Sequence, residues 1–276
     1  MASQTKVREM IAKNNAKKGG LSDKIVPIIL AIISAISILT TIAILFTLLT
    51  ETITFFTRVP LSKFFLSGTW NPTGSSPEFG IWALIIGTLK ITVIATIVAV
   101  PIGLGAAIYL NEYASDRSRR IIKPILEILA GIPTIVFGFF ALTFVTPILR
   151  NLIPNLGEFN SISPGIVVGI MIVPMITSMS EDAMSSVPDK IREGAFGLGA
   201  TKFEVATKVV LPAATSGVVA SIVLGISRAI GETMIVSLAA GSSPTSSLSL
   251  TSSIQTMTGY IVEIVTGDAA FGSDIY

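Results

Sequence analysis

An all-α, polytopic membrane protein is the fold class that this sequence predicts, on three observations. Of the 276 residues, 51% are hydrophobic and only 13% are charged, about half the charged fraction of a soluble domain. Mean hydropathy is +0.78. The apolar residues also fall in runs such as Ile25 to Leu49 and Ile81 to Leu110, each long enough for the roughly 20 helical residues that cross a bilayer core.

In chain order, a basic leader (1–24) precedes a first span at 25–56. That run is too long for a signal-peptide core and lacks a cleavage site, so it reads as a retained span. A loop at 57–79 follows, carrying Trp70, Pro72, Gly74 and Pro77, with Trp82 just beyond. It reads equally as a turn-rich loop beside an aromatic anchor and as a contact for an external binding protein. Further spans are placed at 80–110, 122–149, 163–180 and 209–240, five in all. Segment 241–268, rich in Ser, Thr and Gly, has no basic residue, and the chain stops at Tyr276 in the approach to a sixth span, which is expected to be truncated.

Basic residues set the orientation. Lys6, Arg8, Lys13, Lys17, Lys18, Lys24, Arg117, Arg119, Arg120, Lys123, Lys190, Arg192, Lys202 and Lys208 fall on one side, against Arg58, Lys63 and Arg150 on the other. The positive-inside bias puts the N-terminus in the cytoplasm and the loop 57–79 and segment 241–268 outside.

Between the fourth and fifth spans lies a polar insert, the loop 186–208, whose core reads Pro188-Asp-Lys-Ile-Arg-Glu193-Gly-Ala195-Phe-Gly-Leu-Gly199-Ala-Thr201-Lys-Phe-Glu204, closed by Leu211-Pro212. It is too charged to enter lipid. Gly199 sits where a first helix needs a left-handed residue to stop, and Thr201 with Glu204 makes a capping box that opens a second. The two short helices predict a rigid knob on the cytoplasmic surface.

Two cations fall inside predicted spans, where a charge costs at least about 3 kcal/mol and should face a partner or water. Arg228 lies halfway along the fifth span, and Glu232, four residues on, is placed on the same helical face. The pair reads as an ion pair locking helix packing, or as a cation on the path of an anionic substrate with Glu232 holding it. Gly231 and Thr233 leave room for a hydrated passage, and a guanidinium suits a phosphate-like ion. Lys90 lines the same path or snorkels to the outer interface. Glu127 is expected to pair with the Arg-rich loop before it. Pro101, Pro133 and Pro174, each in a Gly- or Pro-broken stretch of a span, are packing kinks or hinges for an inward–outward transition.

Other chemistry is poorly served. The chain has no Cys and no His, so no metal site is expected. No Gly-rich phosphate loop is present, so ATP hydrolysis is assigned elsewhere. Ser180-Glu181-Asp182 reads as helix-terminal solvation rather than a metal site. No internal repeat or nucleic-acid signature stands out.

The Glu193, Ala195, Gly199 and Leu-Pro pattern resembles the EAA loop of ABC-importer permeases. Phe79-Gly-Ile-Trp82, Gly87-Thr88, Pro101 to Tyr113, Glu127 to Pro133, Ser180 to Ala183, Val187-Pro188 and Arg228 to Met234, in that order, resemble the PstC-type permeases of bacterial and archaeal phosphate importers. The likeness runs from about residue 55 to residue 241. It implies a type I ABC importer permease fold with a cytoplasmic coupling helix in a prokaryotic plasma membrane, the permease core occupying 80–276. The implied function is transmembrane passage of inorganic phosphate, coupled to ATP hydrolysis on other subunits. The implied partners are a second permease chain of the companion type in such importers, two ATP-binding subunits holding ATP and Mg, and an external phosphate-binding protein. By the same resemblance Arg228, Glu232, Thr233 and Lys90 belong to the substrate pathway, and Glu193, Gly194, Ala195 and Gly199 to ATPase docking. Gly194 replaces the usual middle alanine, at a cost of about 1 kcal/mol of helix propensity. A permease for molybdate or sulfate, or a transporter driven by an ion gradient, is the rival expectation. The second would call for inverted repeats and titrating intramembrane acids.

Overall fold

The computed structural model describes residues 21–72 and 76–266. Most of the leader 1–24, Gly74 of the first loop and the last ten residues therefore lie outside the described residues. The chain divides into two compact units, Met1–Leu61 and Ser62–Tyr276.

The first unit holds one helix, α1 (Leu21–Arg58), whose stretch Ile25–Arg58 is a candidate span of 34 residues. It is apolar on every face, as a lipid-facing helix must be. Its threonines do not break that character. Thr40, Thr41, Thr47, Thr52 and Thr54 each donate to the carbonyl four residues back, so none of these hydroxyls is left unpaired.

The second unit begins with a short helix, α2 (Leu61–Leu66), and a two-stranded antiparallel hairpin, β1 (Trp70–Asn71) against β2 (Glu78–Phe79), with Trp70 opposite Phe79. The hairpin leads into α3 (Trp82–Ile108), which ends in a π turn, Tyr109–Tyr113. Then come α4 (Asp116–Gly131), α5 (Thr134–Phe140), a second π turn (Ala141–Val145) and α6 (Thr146–Leu152). The long α7 (Ile162–Ser185) precedes the knob, α8 (Asp189–Gly197) and α9 (Lys202–Glu204). A third π turn (Val205–Val210) and α10 (Leu211–Ala213) lead to α11 (Thr215–Ile230), α12 (Met234–Ala239) and α13 (Met257–Thr266).

Close approach of α3 and α7 forms the centre of the bundle. A Cβ on Gly165 would lie 2.7 Å from Ile94, one on Gly169 2.8 Å from Val98, and one on Gly103 2.9 Å from Ile176. The contacts advance together along both helices, so the two run parallel. Gly165 and Gly169 are four residues apart, the small-residue spacing that lets membrane helices touch backbone to backbone. α11 crosses α7 in the opposite sense, with Gly225 against Ile176 and Gly217 against Ala183. Ile91, Ala95, Val167, Val168, Ile172 and Ile235 fill the space between.

Two predicted spans are corrected. The span placed at 122–149 straddles a break: Ile132 is extended (ψ 129°) and Pro133 caps the next helix (ψ 134°). Proline has no N–H to donate and disfavours a helical residue before it. The crossing segment is Thr134–Leu152, and α4 is a separate helix. The span placed at 209–240 is likewise three pieces. Lys202–Ala213 meets Thr215–Ile230 at 76°, and α11 ends at Gly231. Conversely α3 and α7 continue through Pro101 and Pro174, which do not interrupt their helices as expected. Only Pro133 ends one.

Segment 241–256 folds back into the bundle. Ile254 is fully buried among the core residues, and the Gln255 carbonyl leaves no room for a Cβ on Gly87 of α3.

Candidate functional site

The knob is built as its sequence predicts. Gly199 adopts φ +87°; its N–H donates to Phe196 and that of Ala200 to Ala195, the paired bonds of a Schellman stop. Thr201 Oγ1 accepts from the Glu204 N–H at 3.3 Å, and the Glu204 carboxylate accepts from the Thr201 N–H at 3.1 Å. Lys208 adds an ion pair to Glu204 at 3.0 Å. That backbone bond, then Lys208, holds the Glu204 carboxyl well down, at about 2. Glu193, Gly194 and Gly199 are exposed and Ala195 half-buried. Nothing lies near an added Cβ at Gly194, so the site does not require glycine there. Leu198 and Phe203 stand out into solvent.

The root of the knob was not legible in the sequence. Arg192 of α8 donates to the Met184 carbonyl at 2.7 Å and to Asp189 at 3.1 Å, and its Nε lies 3.5 Å from Glu112. Glu112 belongs to the π turn after α3, where the Asn111 amide holds its Oε1 at 2.6 Å. One guanidinium thus joins the knob to the ends of both central helices. Spacing within α8 shows the Asp189–Arg192 pair, but no local pattern points to Glu112, eighty residues earlier.

Glu181 is a second surprise. Expected at a solvated helix end, it is 1% exposed, because α7 runs on to Ser185. Lys123 Nζ lies 2.5 Å and Arg119 Nη2 3.5 Å from its carboxylate. Arg119 also donates to the Leu110 carbonyl at 2.8 Å. These two basic residues were expected to pair with Glu127, which is exposed and has no ion pair among the described residues. Asp182 alone fits the solvated reading.

In the bundle, the expected pairing of Arg228 with Glu232 does not form. Arg228 lies in the last turn of α11, not halfway along a span, and is exposed. The helix stops at Gly231, so Glu232 leaves the Arg228 face. Its carboxylate instead accepts from the Met234 and Ile235 N–H groups at 3.2 and 3.3 Å, capping α12. Its backbone carbonyl accepts from Thr258. Thr233 donates to the Gly231 carbonyl. Lys90 is buried, and its ammonium donates to the Ser247 carbonyl and, at 2.8 Å, to that of Ser249. It neither opens onto a passage nor snorkels, but anchors the 241–256 segment to α3. The structure therefore brings Glu232, Thr258 and the α3 face of Thr88 together and leaves Arg228 apart from them.

Residues 99–272 match the family described as binding-protein-dependent transport system inner membrane component. The phosphate transport system permease protein PstC of Xylella fastidiosa (strain Temecula1) is 33% identical over 234 residues, covering 78% of this chain and 70% of that protein. PstC of Haemophilus influenzae is 37% identical over 200 residues, 66% of this chain and 63% of that protein. The probable ABC transporter permease protein YqgH of Bacillus subtilis is 38% identical over 180 residues, 65% of this chain and 58% of that protein. Against the last two the chain spans about three fifths of the relative's length. An inward-facing form of the MetNI methionine ABC transporter aligns with 57% of this chain and 74% of that one, at 21% identity and a TM-score of 0.47.

The matched region covers more than half of the chain, and the helices are those of a multi-pass membrane protein. The chain belongs to the binding-protein-dependent transport system inner membrane components, as an ABC permease of the PstC type.

Proposed function

We propose that this chain is the transmembrane permease of an ATP-driven inorganic phosphate importer. It forms half of a translocation pathway and does no chemistry itself. The observation that carries the coupling half of this reading is the knob: two capped helices gripped at their root by Arg192. A surface element so fixed to the ends of two central helices moves with them as a lever. PstC relatives supply the substrate class.

The knob end and the N-terminus face the cytoplasm, as the distribution of basic residues favours. There α8 docks on an ATPase through Glu193, Ala195 and the exposed Leu198. ATP and Mg are held by two such ATP-binding subunits, not by this chain. Closure of the ATPase pair draws the knobs of this chain and a second permease together. The bundle then opens outward to take phosphate from an external binding protein, and hydrolysis resets it. Arg228, exposed and free of an internal partner, offers its planar fork to the passing anion. Glu232, Thr233 and Lys90 shape the wall by fixing α12 and the 241–256 segment. Pro101, Pro133 and Pro174 are hinge candidates, of which Pro133 sits at an actual break.

The test is uptake of labelled phosphate into proteoliposomes holding this chain and its partners. ATP-dependent uptake that excess molybdate and sulfate do not suppress supports the proposal. Suppression by either oxyanion reassigns the substrate, and uptake driven by an ion gradient without ATP overturns the ABC assignment.

A further inference from the structure

The helix α4 has a face that neither the knob nor the bundle uses. Its sequence carries Asp116, Arg117, Arg119, Arg120, Lys123 and Glu127 within sixteen residues, too many charges for the hydrocarbon core. The next segment, Thr134–Leu152, is 19 residues long and at 1.5 Å per residue already covers about 28 Å, nearly the whole core. Two residues of turn therefore leave α4 at the level of the lipid headgroups on the knob side.

One side of α4 meets α7. Arg119 and Lys123 reach Glu181 there, and Leu126 and Ala130 face Pro174 and Met175 across a groove. Directly opposite, Ile121, Ile125 and Ile128 form a stripe at i, i+4, i+7 and are 56%, 50% and 69% exposed. Arg117, one turn before Ile121, continues the stripe, and Arg120 stands on its shoulder. Neither arginine is in an ion pair among the described residues. An apolar stripe bordered by free guanidiniums, held at headgroup level, matches an anionic membrane surface: methylene groups below, phosphates beside the arginines.

We propose that α4 is an interfacial helix that seats Ile121, Ile125 and Ile128 in the cytoplasmic leaflet and binds anionic lipid phosphates through Arg117 and Arg120. This rests on the cytoplasmic placement of the knob end proposed above. The lipid contact would brace, through Lys123 and Glu181, the end of the helix that leads into the knob.

The absence of cysteine makes the test direct. Ile125→Cys, Ile128→Cys and Glu127→Cys are labelled with an environment-sensitive fluorophore in the assembled transporter, with cysteine-free partners, in nanodiscs. Nitroxide is placed just below the headgroup of either phosphatidylglycerol or phosphatidylcholine. Quenching at 125 and 128 but not at 127, and stronger by the phosphatidylglycerol nitroxide, is the expected result. Arg117→Gln with Arg120→Gln should lower that preference by about fivefold or more. Labels at 125 and 128 that escape lipid quenching, or that cross-link to the second permease, overturn the proposal in favour of a protein interface. Equal quenching by both lipids overturns the anionic preference. A membrane-impermeant thiol reagent on Lys202→Cys reports sidedness separately, so failure of the orientation is told apart from failure of the lipid contact.

Discussion

At the scale of single residues, burial separates acids that look alike in the sequence. Glu181 and Asp182 are neighbours at one helix end, yet only Glu181 has two cations against an otherwise buried carboxylate. Glu181→Gln should lower stability by about 1–2 kcal/mol, less than a fully buried pair would lose because Arg119 and Lys123 keep access to water. Asp182→Asn should stay within about 0.5 kcal/mol. Thermal unfolding of the purified complex in detergent checks both, and equal midpoints for the two variants would remove Glu181 from the structural account. Arg228 is the opposite case. It has no internal partner, so Arg228→Gln should abolish uptake while assembly and unfolding temperature stay put. Wild-type transport by that variant would take Arg228 out of the pathway.

At the scale of elements, the knob shows local sequence prevailing over tertiary context. Its stop, its cap and the turn between them follow from Gly199, Thr201 and Glu204, which act within a few residues of one another. Thr201→Ala removes one half of the capping box and should cost about 1 kcal/mol, read as faster hydrogen exchange over 201–210 and weaker retention of the ATPase. The Glu204 carboxyl is held near 2, below its ordinary 4.5. Its stabilising contribution is therefore complete above about pH 4.5 and is lost only as pH falls through about 2. Exchange rates in the knob should accordingly be flat, apart from the intrinsic pH dependence, between about pH 5 and 8. The spans behave differently. Hydropathy located five crossings but misjudged the third and fifth, because a proline break does not lower the mean hydropathy of a window. Ile132–Pro133 and Gly231 change direction without changing polarity.

At the scale of the whole molecule, α3 and α7 hold the bundle by contact that only small residues allow. Gly169→Leu would drive a side chain into Val98 and the Ala95 carbonyl, and should prevent assembly of the folded chain. Gly105→Ala on α3 meets nothing within 4 Å and should be neutral or slightly stabilising. Size-exclusion profiles of the two variants decide it: identical monodisperse behaviour would mean that the α3–α7 crossing yields more readily than its spacing implies. The Gly165-to-Gly169 spacing was available in the sequence as a packing signal, but it does not say which helix is the partner.

What the sequence determined by itself is everything set by short range or by bulk composition. Charge fraction and apolar runs set the membrane class, and the capped knob follows from residues a turn apart. The ordered motifs from Phe79 to Met234 carry the family resemblance that the matching relatives bear out. Only the tertiary structure decided the pairings across long separations: Glu112 with Arg192, Glu181 with Arg119 and Lys123, and Lys90 with the carbonyls of Ser247 and Ser249. It also turned Glu232 away from Arg228 to cap α12. The physical reason is common to all of these. A buried charge takes whichever partner the packed helices bring within a few ångströms, and that choice depends on how α3, α4, α7 and the knob meet, which no local spacing encodes.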